Sequence, residues 1–317
     1  MKLIIQIPCF NEAGTLPLTV RDLPQAVEGV DRIEVLVVDD GSTDGTADVA
    51  RGLGVQHVLS LGSHRGLGRA FAEGIEYALA AGADVVVNAD ADNQYRAADI
   101  GRLIQPILEN RADFVIGCRP IVDHPEFSAT KKALQLMGSW TLRHISGTAV
   151  RDAASGFRAF SREACLRLFI YSTFSYSMET LIQAANMGLR VASVDVGVNP
   201  KTRPSRLFRS IPEYVVRQAV TMLSMFLLYR PGRFFSSLAG VFLASAGVLA
   251  ARFVYLIYLA PRAPGRTHVP SLIAMSLLAL TGVLCVLLGI VGELIKSQRR
   301  IGEENLYLLR KFGLRRE

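Results

Sequence analysis

Two long apolar segments near the end of the chain restrict its fold more than any other feature of the sequence. They cover residues 234–260 and 271–295, and each contains one charged side chain, Arg252 in the first and Glu293 in the second. Since about 20 apolar residues suffice to cross the hydrocarbon core of a bilayer, the pair predicts a transmembrane hairpin. A buried helical hairpin of a soluble protein is the alternative.

Basic residues flank the hairpin on its outer sides, at Arg230 and Arg233 before it and at Lys296, Arg299, Arg300, Arg310 and Lys311 after it. The positive-inside rule therefore predicts that both ends of the chain lie in the cytosol, at a cell membrane or a membrane of the ER type. Residues 211–230 have an amphipathic pattern that favours an interfacial helix, with an ordinary core-packing helix as the alternative. The predicted organisation is a cytosolic domain over residues 1–210, an amphipathic helix over 211–230, the hairpin over 231–297 and a basic cytosolic tail over 298–317.

The first 200 residues alternate short apolar runs with helical patterns. Runs at 3–7, 33–38, 57–59 and 85–87 predict strands, with helices near 15–28 and 69–80 between them. This rhythm is typical of an α/β domain with a mostly parallel, Rossmann-like sheet. The first strand-to-helix turn has no GxGxxG sequence, and the chain has neither a phosphate-binding GxxxxGK loop nor a GxSxG elbow, which argues against the enzyme classes that carry them.

Two aspartates follow the apolar run 85–87, in the sequence Asn88-Ala-Asp90-Ala-Asp92-Asn-Gln94. They come at the carboxyl end of the strand, where open α/β sheets bind ligands. Two neighbouring carboxylates repel each other unless a cation lies between them, and hard oxygen ligands suit Mg²⁺ or Mn²⁺, which usually also bind phosphates. A polar turn without a metal is the alternative.

The net charge limits the kinds of binding partner, and the cysteines limit the kinds of metal site and cross-link. The net charge of +7 suits nucleic acid, anionic lipid or phosphorylated ligands. Because the arginine-rich stretches flank the apolar segments, we expect a membrane and no nucleic acid. Four scattered cysteines without a CxxC pair argue against a zinc site or a disulfide framework.

Acidic residues follow the first two strands as well, at Glu12 and at Asp39-Asp40, while basic residues come later at Arg119, Arg158 and 201–206. Carboxylates that hold a metal and a nucleoside, with arginines that hold phosphates, fit a nucleotide-diphosphate donor. The membrane anchor directly behind the basic stretch fits an anionic lipid acceptor.

The order of these motifs resembles that of glycosyltransferase family 2, most of all its polyprenyl-phosphate glycosyltransferases. The motifs are Ile7-Pro8-Cys9-Phe10-Asn11-Glu12, Val37-Val38-Asp39-Asp40-Gly41-Ser42-x-Asp44-Gly45-Thr46, Asn88-Ala-Asp90-Ala-Asp92-Asn-Gln94, Gly117-Cys-Arg119 and Ser155-Gly156-Phe157-Arg158. Two stretches depart from the family pattern, Thr202-Arg203-Pro204-Ser205-Arg206 and His64-Arg65-Gly66.

The resemblance implies a GT-A fold and a set of site residues. Contacts with the base and ribose would come from Pro8, Phe10, Glu12, Val37 and Asp39, with Asp90 and Ala91 against the nucleotide. Asp92 and Gln94 would ligate Mg²⁺ or Mn²⁺. Arg119 and Arg158 would face donor or acceptor phosphate and would be catalytic together with Asp90 and Asp92. Arg203 and Arg206 would bind the donor, and Lys131 and Lys201 the acceptor phosphate.

The implied activity is metal-dependent, inverting transfer of a sugar from a UDP-sugar or GDP-mannose to a polyprenyl phosphate. One alternative is a family member that glycosylates a sugar hydroxyl, which needs a carboxylate base such as Glu179 or Asp152. Another is an inactive membrane scaffold or nucleotide-sugar sensor. Small residues at Gly240, Ala244, Ser245 and Gly247 favour helix contacts between copies of the chain.

Overall fold

The structure, a computed structural model, describes residues 1–120, 150–170, 176–200, 216, 220, 223–224, 226–258 and 269–313. The chain forms two compact units. One comprises Met1–Gln218 together with Glu303–Glu317, and the other comprises Ala219–Gly302. The expectations for Lys131, Lys201, Arg203 and Arg206, and most of those for the amphipathic segment 211–230, lie outside the described residues.

A seven-stranded sheet forms the centre of the described part of the first unit. Its strands are β1 (Lys2–Cys9), β2 (Arg32–Asp39), β3 (His57–Ser60), β4 (Val85–Asn88), β5 (Phe114–Cys118), β6 (Arg158–Ser161) and β7 (Val191–Asp195). Their spatial order is β3-β2-β1-β4-β6-β5-β7. β6 runs antiparallel to both of its neighbours, and the other pairs are parallel. The predicted mostly parallel α/β sheet is therefore confirmed.

Short helices connect the strands. They are α1 (Leu16–Asp22), α2 (Thr46–Gly52), α3 (Leu67–Ala80), a 3₁₀ turn (Ala97–Asp99), α4 (Ile100–Leu108), α5 (Arg162–Arg167) and α6 (Ser177–Asn186). The first helix ends well before residue 28, where the sequence predicted its end. Leu23 is extended, with φ −65° and ψ 142°, because it precedes Pro24 and a proline disfavours helical geometry in the residue before it.

β1 lies in the middle of three parallel strands and sets their alignment. Gln6 of β1 is paired with Asn88 of β4, and Cys9 of β1 with Asp39 of β2. Leu3, Ile5 and Ile7 of β1 are fully buried in the core. The carboxyl ends of β2, β1 and β4 therefore reach the same edge of the sheet side by side.

The second unit contains the helix α7 (Pro231–Tyr258) and the greater part of the helix α8 (Val269–Gly313). Both are long and apolar enough to cross a membrane. Of the most apolar 18-residue stretch of each helix, only 11% in α7 and 17% in α8 is buried. Glycines of α8 allow the two helices to approach. A methyl group at Gly282 would lie 2.6 Å from Leu243, and one at Gly292 would lie 2.5 Å from Pro231.

The small residues that the sequence analysis named, Gly240, Ala244, Ser245 and Gly247, are exposed and do not line this helix contact. In the part of the chain that the structure describes, a methyl group at Gly240 or Gly247 would meet no other atom within 4 Å. The expected contacts between copies of the chain through this stretch remain a prediction.

The last turns of α8 belong to the first unit and pack on α5 and the segment after it. The Tyr307 hydroxyl donates to Glu163 at 2.9 Å, and the Arg167 guanidinium lies 4.3 Å from the Tyr307 ring centre. Arg310 donates to the carbonyl of Leu168 at 2.9 Å. We call residues 303–313 the docked tail.

Candidate active site

Three loops meet at the sheet edge formed by the ends of β1, β2 and β4. The loop after β1 is tied to the loop after β2, because the Glu12 amide donates to the Thr46 hydroxyl at 2.9 Å and the Ala13 amide to Asp44 at 3.0 Å. The loop after β4 is tied to α1, where the Thr19 hydroxyl donates to the Ala91 carbonyl at 2.9 Å. The predicted donor-site segments are therefore held together at this edge of the sheet, and we call the surface that they form the cleft.

Phe10 is the exposed aromatic residue of this cleft, and its ring stacks on His64 with ring centres 4.0 Å apart. His64 is in turn paired with the buried Asp40 at 2.8 Å. Asp40 also accepts from the amides of Arg65 and Gly66, at 2.7 and 2.9 Å. This second aspartate of the Asp39-Asp40 pair thus fixes the glycine-rich loop that carries His64.

The remaining predicted base and ribose contacts lie deeper. Pro8, Val37 and Ala91 are buried, as is most of Glu12 and Asp39. Asp39 accepts from the Ser42 amide at 3.1 Å and from the Ser60 hydroxyl at 3.2 Å. Glu12 accepts from the Thr15 hydroxyl at 2.6 Å. These hydrogen bonds fix both carboxylates in place at the back of the cleft.

Asp90 and Asp92 follow β4 and are each partly exposed, as is Gln94. One oxygen of Asp92 accepts a hydrogen bond from the backbone amide of Gln94 at 3.1 Å, and Asn93 between them has a φ of +54°. This tight turn holds two carboxylates and an amide side chain on one short loop.

The arrangement fits a cation that is shared with phosphates. Among the described residues, no cluster of three or more His, Cys, Asp or Glu could hold a metal by itself. A pair of carboxylates with a side-chain amide leaves most coordination positions to other ligands. Mg²⁺ and Mn²⁺ are bound in this way when water and substrate phosphates complete their shell.

Behind Asp90 lie two tyrosines that the sequence did not identify as site residues. Tyr95 stacks on Phe157 with ring centres 5.0 Å apart, and Tyr176 stacks on Phe71 at 4.0 Å. Burial raises the pKa of Tyr95 to about 12 and raises that of Tyr176 well above its usual value. Both hydroxyls are therefore protonated at neutral pH.

Arg119 and Asp152 form a buried ion pair at one side of the same cleft. The Arg119 Nε donates to Asp152 Oδ2 at 2.7 Å, and its Nη2 donates to Oδ1 at 3.1 Å. Burial alone would lower the pKa of Arg119, but its charged neighbours, Asp152 among them, raise that pKa above its ordinary value. The guanidinium stays charged and is held 6.0 Å from the Tyr95 ring centre.

Arg158 does not occupy the position that the sequence predicted. Its side chain is fully buried, and it donates to the carbonyls of Ser155 at 2.7 Å and Ala153 at 2.8 Å. It also donates to the Thr180 hydroxyl at 2.6 Å. Because no part of the guanidinium reaches the surface, the expected phosphate contact of Arg158 is corrected to a structural role in holding the 152–156 loop.

The two carboxylates considered as alternative bases are also enclosed. Asp152 and Glu179 are each only 1% exposed. Asp152 is engaged by Arg119, and Glu179 lies on α6 beside Gln183, whose amide nitrogen is 3.4 Å away.

Sequence patterns identified part of the site and missed the rest for identifiable reasons. Tyr95 directly follows the acidic motif, so its position could have drawn attention to it. Tyr176 lies far along the chain in a segment without a motif, and only the fold brings it behind Asp90. His64 was visible as a departure from the family pattern, but its stacking on Phe10 was not.

The model of the family described as "Glycosyl transferase family 2" matches residues 4–169, which include the sheet edge with its acidic loops. The chain belongs to glycosyl transferase family 2. It is therefore a glycosyltransferase, as the motifs predicted.

Two relatives and one solved structure illustrate the similarity. The undecaprenyl-phosphate mannosyltransferase of Micrococcus luteus is 30% identical over 206 residues, which cover 62% of this chain and 83% of the relative. The UDP-N-acetylglucosamine–dolichyl-phosphate N-acetylglucosaminyltransferase of Methanococcus voltae is 31% identical over 215 residues, 60% of this chain and 82% of the relative. Glucosyl-3-phosphoglycerate synthase of Mycobacterium tuberculosis, solved with Mn²⁺, UDP and its product, has a TM-score of 0.54 at 20% identity, over 71% of this chain and 78% of the other. This last likeness shows the shared fold.

Proposed function

We propose that this glycosyltransferase moves a sugar from a nucleoside-diphosphate donor to a polyprenyl phosphate at a membrane surface, with Mg²⁺ or Mn²⁺ bound at Asp92 and Gln94. The names of the Micrococcus and Methanococcus relatives place undecaprenyl phosphate and dolichyl phosphate as acceptors of those proteins. The Mn²⁺ and UDP bound to the Mycobacterium enzyme support a similar donor site here.

The observation that carries the choice of acceptor is the burial of both candidate bases. A sugar hydroxyl must lose its proton to attack, so it needs an accessible carboxylate nearby. Asp152 and Glu179 are almost fully enclosed, and Asp152 is paired with Arg119. A phosphate monoester is already ionised at neutral pH and needs no such base, so the geometry favours a lipid phosphate acceptor.

The docked tail supports the proposed membrane topology. The chain up to Gln218 and the end of α8 from Glu303 onward both belong to the first unit, and the second unit lies between them in the sequence. Because the chain enters the second unit from the first unit and then returns to it, either both helices cross the membrane or neither does. The most apolar stretches of both helices are also largely exposed. Together these two observations favour a transmembrane hairpin of two helices, with both ends of the chain on one side of the membrane.

In the proposed reaction, the residues of the chain bind and orient the two substrates. Phe10 would stack on the base, while Asp39 and Glu12 would accept hydrogen bonds from the nucleoside. Arg119 would contribute positive potential where two phosphate-bearing substrates approach each other. In-line attack by the lipid phosphate oxygen on the anomeric carbon would invert that centre and release the nucleoside diphosphate.

A divalent cation at Asp92 would supply Lewis-acid stabilisation of the departing diphosphate. The remaining cationic residues assigned to the phosphates by family resemblance, Lys131, Lys201, Arg203 and Arg206, stay predictions.

Transfer of radiolabelled sugar tests the proposal directly. Full-length protein in membranes is incubated with Mn²⁺ and a panel of UDP-glucose, UDP-N-acetylglucosamine and GDP-mannose, each with undecaprenyl or dolichyl phosphate. We expect label in the lipid extract for one donor and its loss on addition of a chelator. Asp92→Asn removes the carboxylate charge proposed to hold the cation, so its rate should fall at least about 100-fold, whereas Asp48→Asn on the exposed face of α2 should leave the rate unchanged.

Two results would count against the proposal. Unchanged turnover of Asp92→Asn would remove the metal assignment. Transfer to a sugar hydroxyl but to no lipid phosphate, abolished by Glu179→Ala while donor binding persists, would favour the other class of acceptor.

A further inference from the structure

Asp90 rests directly against the backbone of Gly156 in the loop that precedes β6. A methyl group added to Gly156 would lie 2.8 Å from both carboxylate oxygens of Asp90, which is closer than such atoms approach. Only a glycine at 156 therefore leaves room for the carboxylate. The position of the Gly156 backbone sets how far Asp90 can withdraw from the cleft.

That backbone is held from both ends by buried tyrosine hydroxyls. The Gly156 amide donates to the Tyr95 hydroxyl at 3.0 Å. The Gly156 carbonyl accepts from the Tyr176 hydroxyl at 3.2 Å and from the Asn88 side-chain amide at 2.9 Å. Asn88 also donates to the Tyr176 oxygen at 2.7 Å, so the three groups form a closed set of hydrogen bonds.

The rings that carry these hydroxyls are fixed by packing. Tyr176 lies parallel to Phe71, with an interplanar angle of 5°, and Tyr95 lies nearly parallel to Phe157, at 16°. Tyr176 is 1% exposed and Tyr95 is 5% exposed. Both hydroxyls therefore have defined positions that do not depend on solvent.

We propose that Tyr95 and Tyr176 are positioning residues that clamp the backbone of Gly156 from its amide and its carbonyl side, and thereby fix the carboxylate of Asp90 for nucleoside-diphosphate binding with a divalent cation. Neither tyrosine reaches the substrate, and both act through Gly156. The inference rests on the proposed function, since it assigns the donor diphosphate and its cation to the Asp90–Gln94 loop. Loss of one hydroxyl would release the Gly156 backbone on its amide or its carbonyl side and let the Asp90 carboxylate shift, while the stacked ring stays in place.

The test uses full-length protein in detergent and measures binding of UDP and of GDP by calorimetry, once with Mn²⁺ and once with a chelator. Tyr176→Phe and Tyr95→Phe each remove one clamp hydroxyl and keep the ring. The matched control is Tyr77→Phe on α3, whose hydroxyl contacts His57 at 3.2 Å and not the clamp. We expect each clamp variant to weaken Mn²⁺-dependent binding roughly fivefold to tenfold, the effect of one lost hydrogen bond. Binding without the cation and the behaviour of Tyr77→Phe should match the wild type.

A second readout concerns the reaction rate. In the sugar-transfer assay, kcat of the clamp variants should fall roughly 10- to 100-fold, as expected for a small misplacement of a substrate-binding group. A merely structural role would lower binding equally with and without Mn²⁺, together with the melting temperature, and that result would overturn the proposal. Mn²⁺-dependent binding equal to the wild type in both clamp variants would overturn it too.

The two tyrosines provide independent tests, because they hold the two successive peptide groups on either side of the Gly156 Cα. If one variant does not fold, the other still reports on the clamp. Failure of the proposed function has a different signature, namely that wild-type protein binds neither UDP nor GDP with Mn²⁺. In that case the clamp proposal falls with it, whereas wild-type binding with unaffected variants counts against the clamp alone.

Discussion

Arg119, directly after β5, and Arg158, at the start of β6, carry the same charge but make different hydrogen bonds. Arg119 follows β5 and forms a two-point ion pair with Asp152, at the border of the cleft. Arg158 begins β6 and directs its hydrogen bonds to backbone carbonyls inside the protein. Burial lowers the pKa of Arg158, and those carbonyls compensate part of the cost of enclosing its charge.

This difference leads to a prediction for Arg158→Lys. Lysine keeps the charge but lacks the planar fork that reaches several acceptors at once. We expect the variant to lose about 3 kcal/mol of stability, the usual cost of disrupting a buried charged network, seen as a lower melting temperature in circular dichroism. Arg151→Lys, on an exposed side chain that pairs with Asp195, is the control. If Arg158→Lys kept its stability and lost only activity, the result would instead support the phosphate contact that the sequence predicted for Arg158.

The motifs predicted the positions of the site residues along the chain but not the direction in which each side chain points. The Asp90-x-Asp92 spacing was sufficient for the acidic loop, because both residues follow a strand end directly. For Arg158 the same kind of motif was misleading. Whether an arginine faces a ligand or the core depends on residues such as Thr180, which come together only in the folded chain.

Among the elements, β7 is one of the two edge strands of the sheet, and an ion pair lies at its start. Arg190, just before β7, donates to Asp113, just before β5, through Nη2 at 2.8 Å and Nε at 3.0 Å. The Asp113 backbone amide also donates to the Arg190 carbonyl at 2.8 Å. These contacts align the first residues of the two parallel strands.

The Arg190 hydrogen bonds hold the pKa of Asp113 below its ordinary value of 3.8. A carboxylate whose pKa is lower in the folded state adds stability above its unfolded pKa and loses it as pH falls through the folded pKa. We therefore expect Asp113→Asn to lower the melting temperature at pH 7, by about 1 kcal/mol in stability. The difference from the wild type should shrink as the pH falls below 3.8 and through the lowered pKa of the folded state. Asp48→Asn, in an exposed pair with Arg51, should change neither value. A pH-independent difference for Asp113→Asn would contradict the assignment.

The sequence predicted the strands more reliably than their directions. Apolar runs located β1, β2 and β4, since a strand buried on both faces has a distinctive composition. The antiparallel insertion of β6 between β4 and β5 has no local signal, because strand direction depends on pairing over some 40 to 70 residues of chain. The early end of α1 did have a signal, namely Pro24.

At the scale of the whole molecule, the packing of the docked tail on the first unit is the feature that the sequence did not predict. From the sequence, residues 298–317 are predicted to be a basic segment. A single tyrosine among charged residues forms no apolar pattern, so nothing in the sequence indicated that Tyr307 is buried. In the structure Tyr307 is 5% exposed, whereas Leu309 on the same turn is 70% exposed. The apolar segments, in contrast, were evident from length and composition alone.

This contrast sets a prediction for the docked tail. Tyr307→Ala removes a buried ring and its hydrogen bond to Glu163, so it should destabilise the first unit by about 3 kcal/mol and make it more sensitive to limited proteolysis. Leu309→Ala is the control on the same helix and should have no measurable effect. Equal behaviour of the two variants in thermal unfolding and in proteolysis would mean that the tail adds nothing to the first unit.

The docked tail also fixes an order of events during synthesis. Tyr307 and Arg310 lie in the last turns of α8 and are translated after both apolar segments, so the first unit lacks these contacts until the end of α8 has been synthesised. A chain that has been synthesised past α6 but not as far as Tyr307 has the acidic loop at Asp90 and an α5 without the contacts of the docked tail. The first unit can therefore acquire its full set of contacts only after both apolar segments have been synthesised.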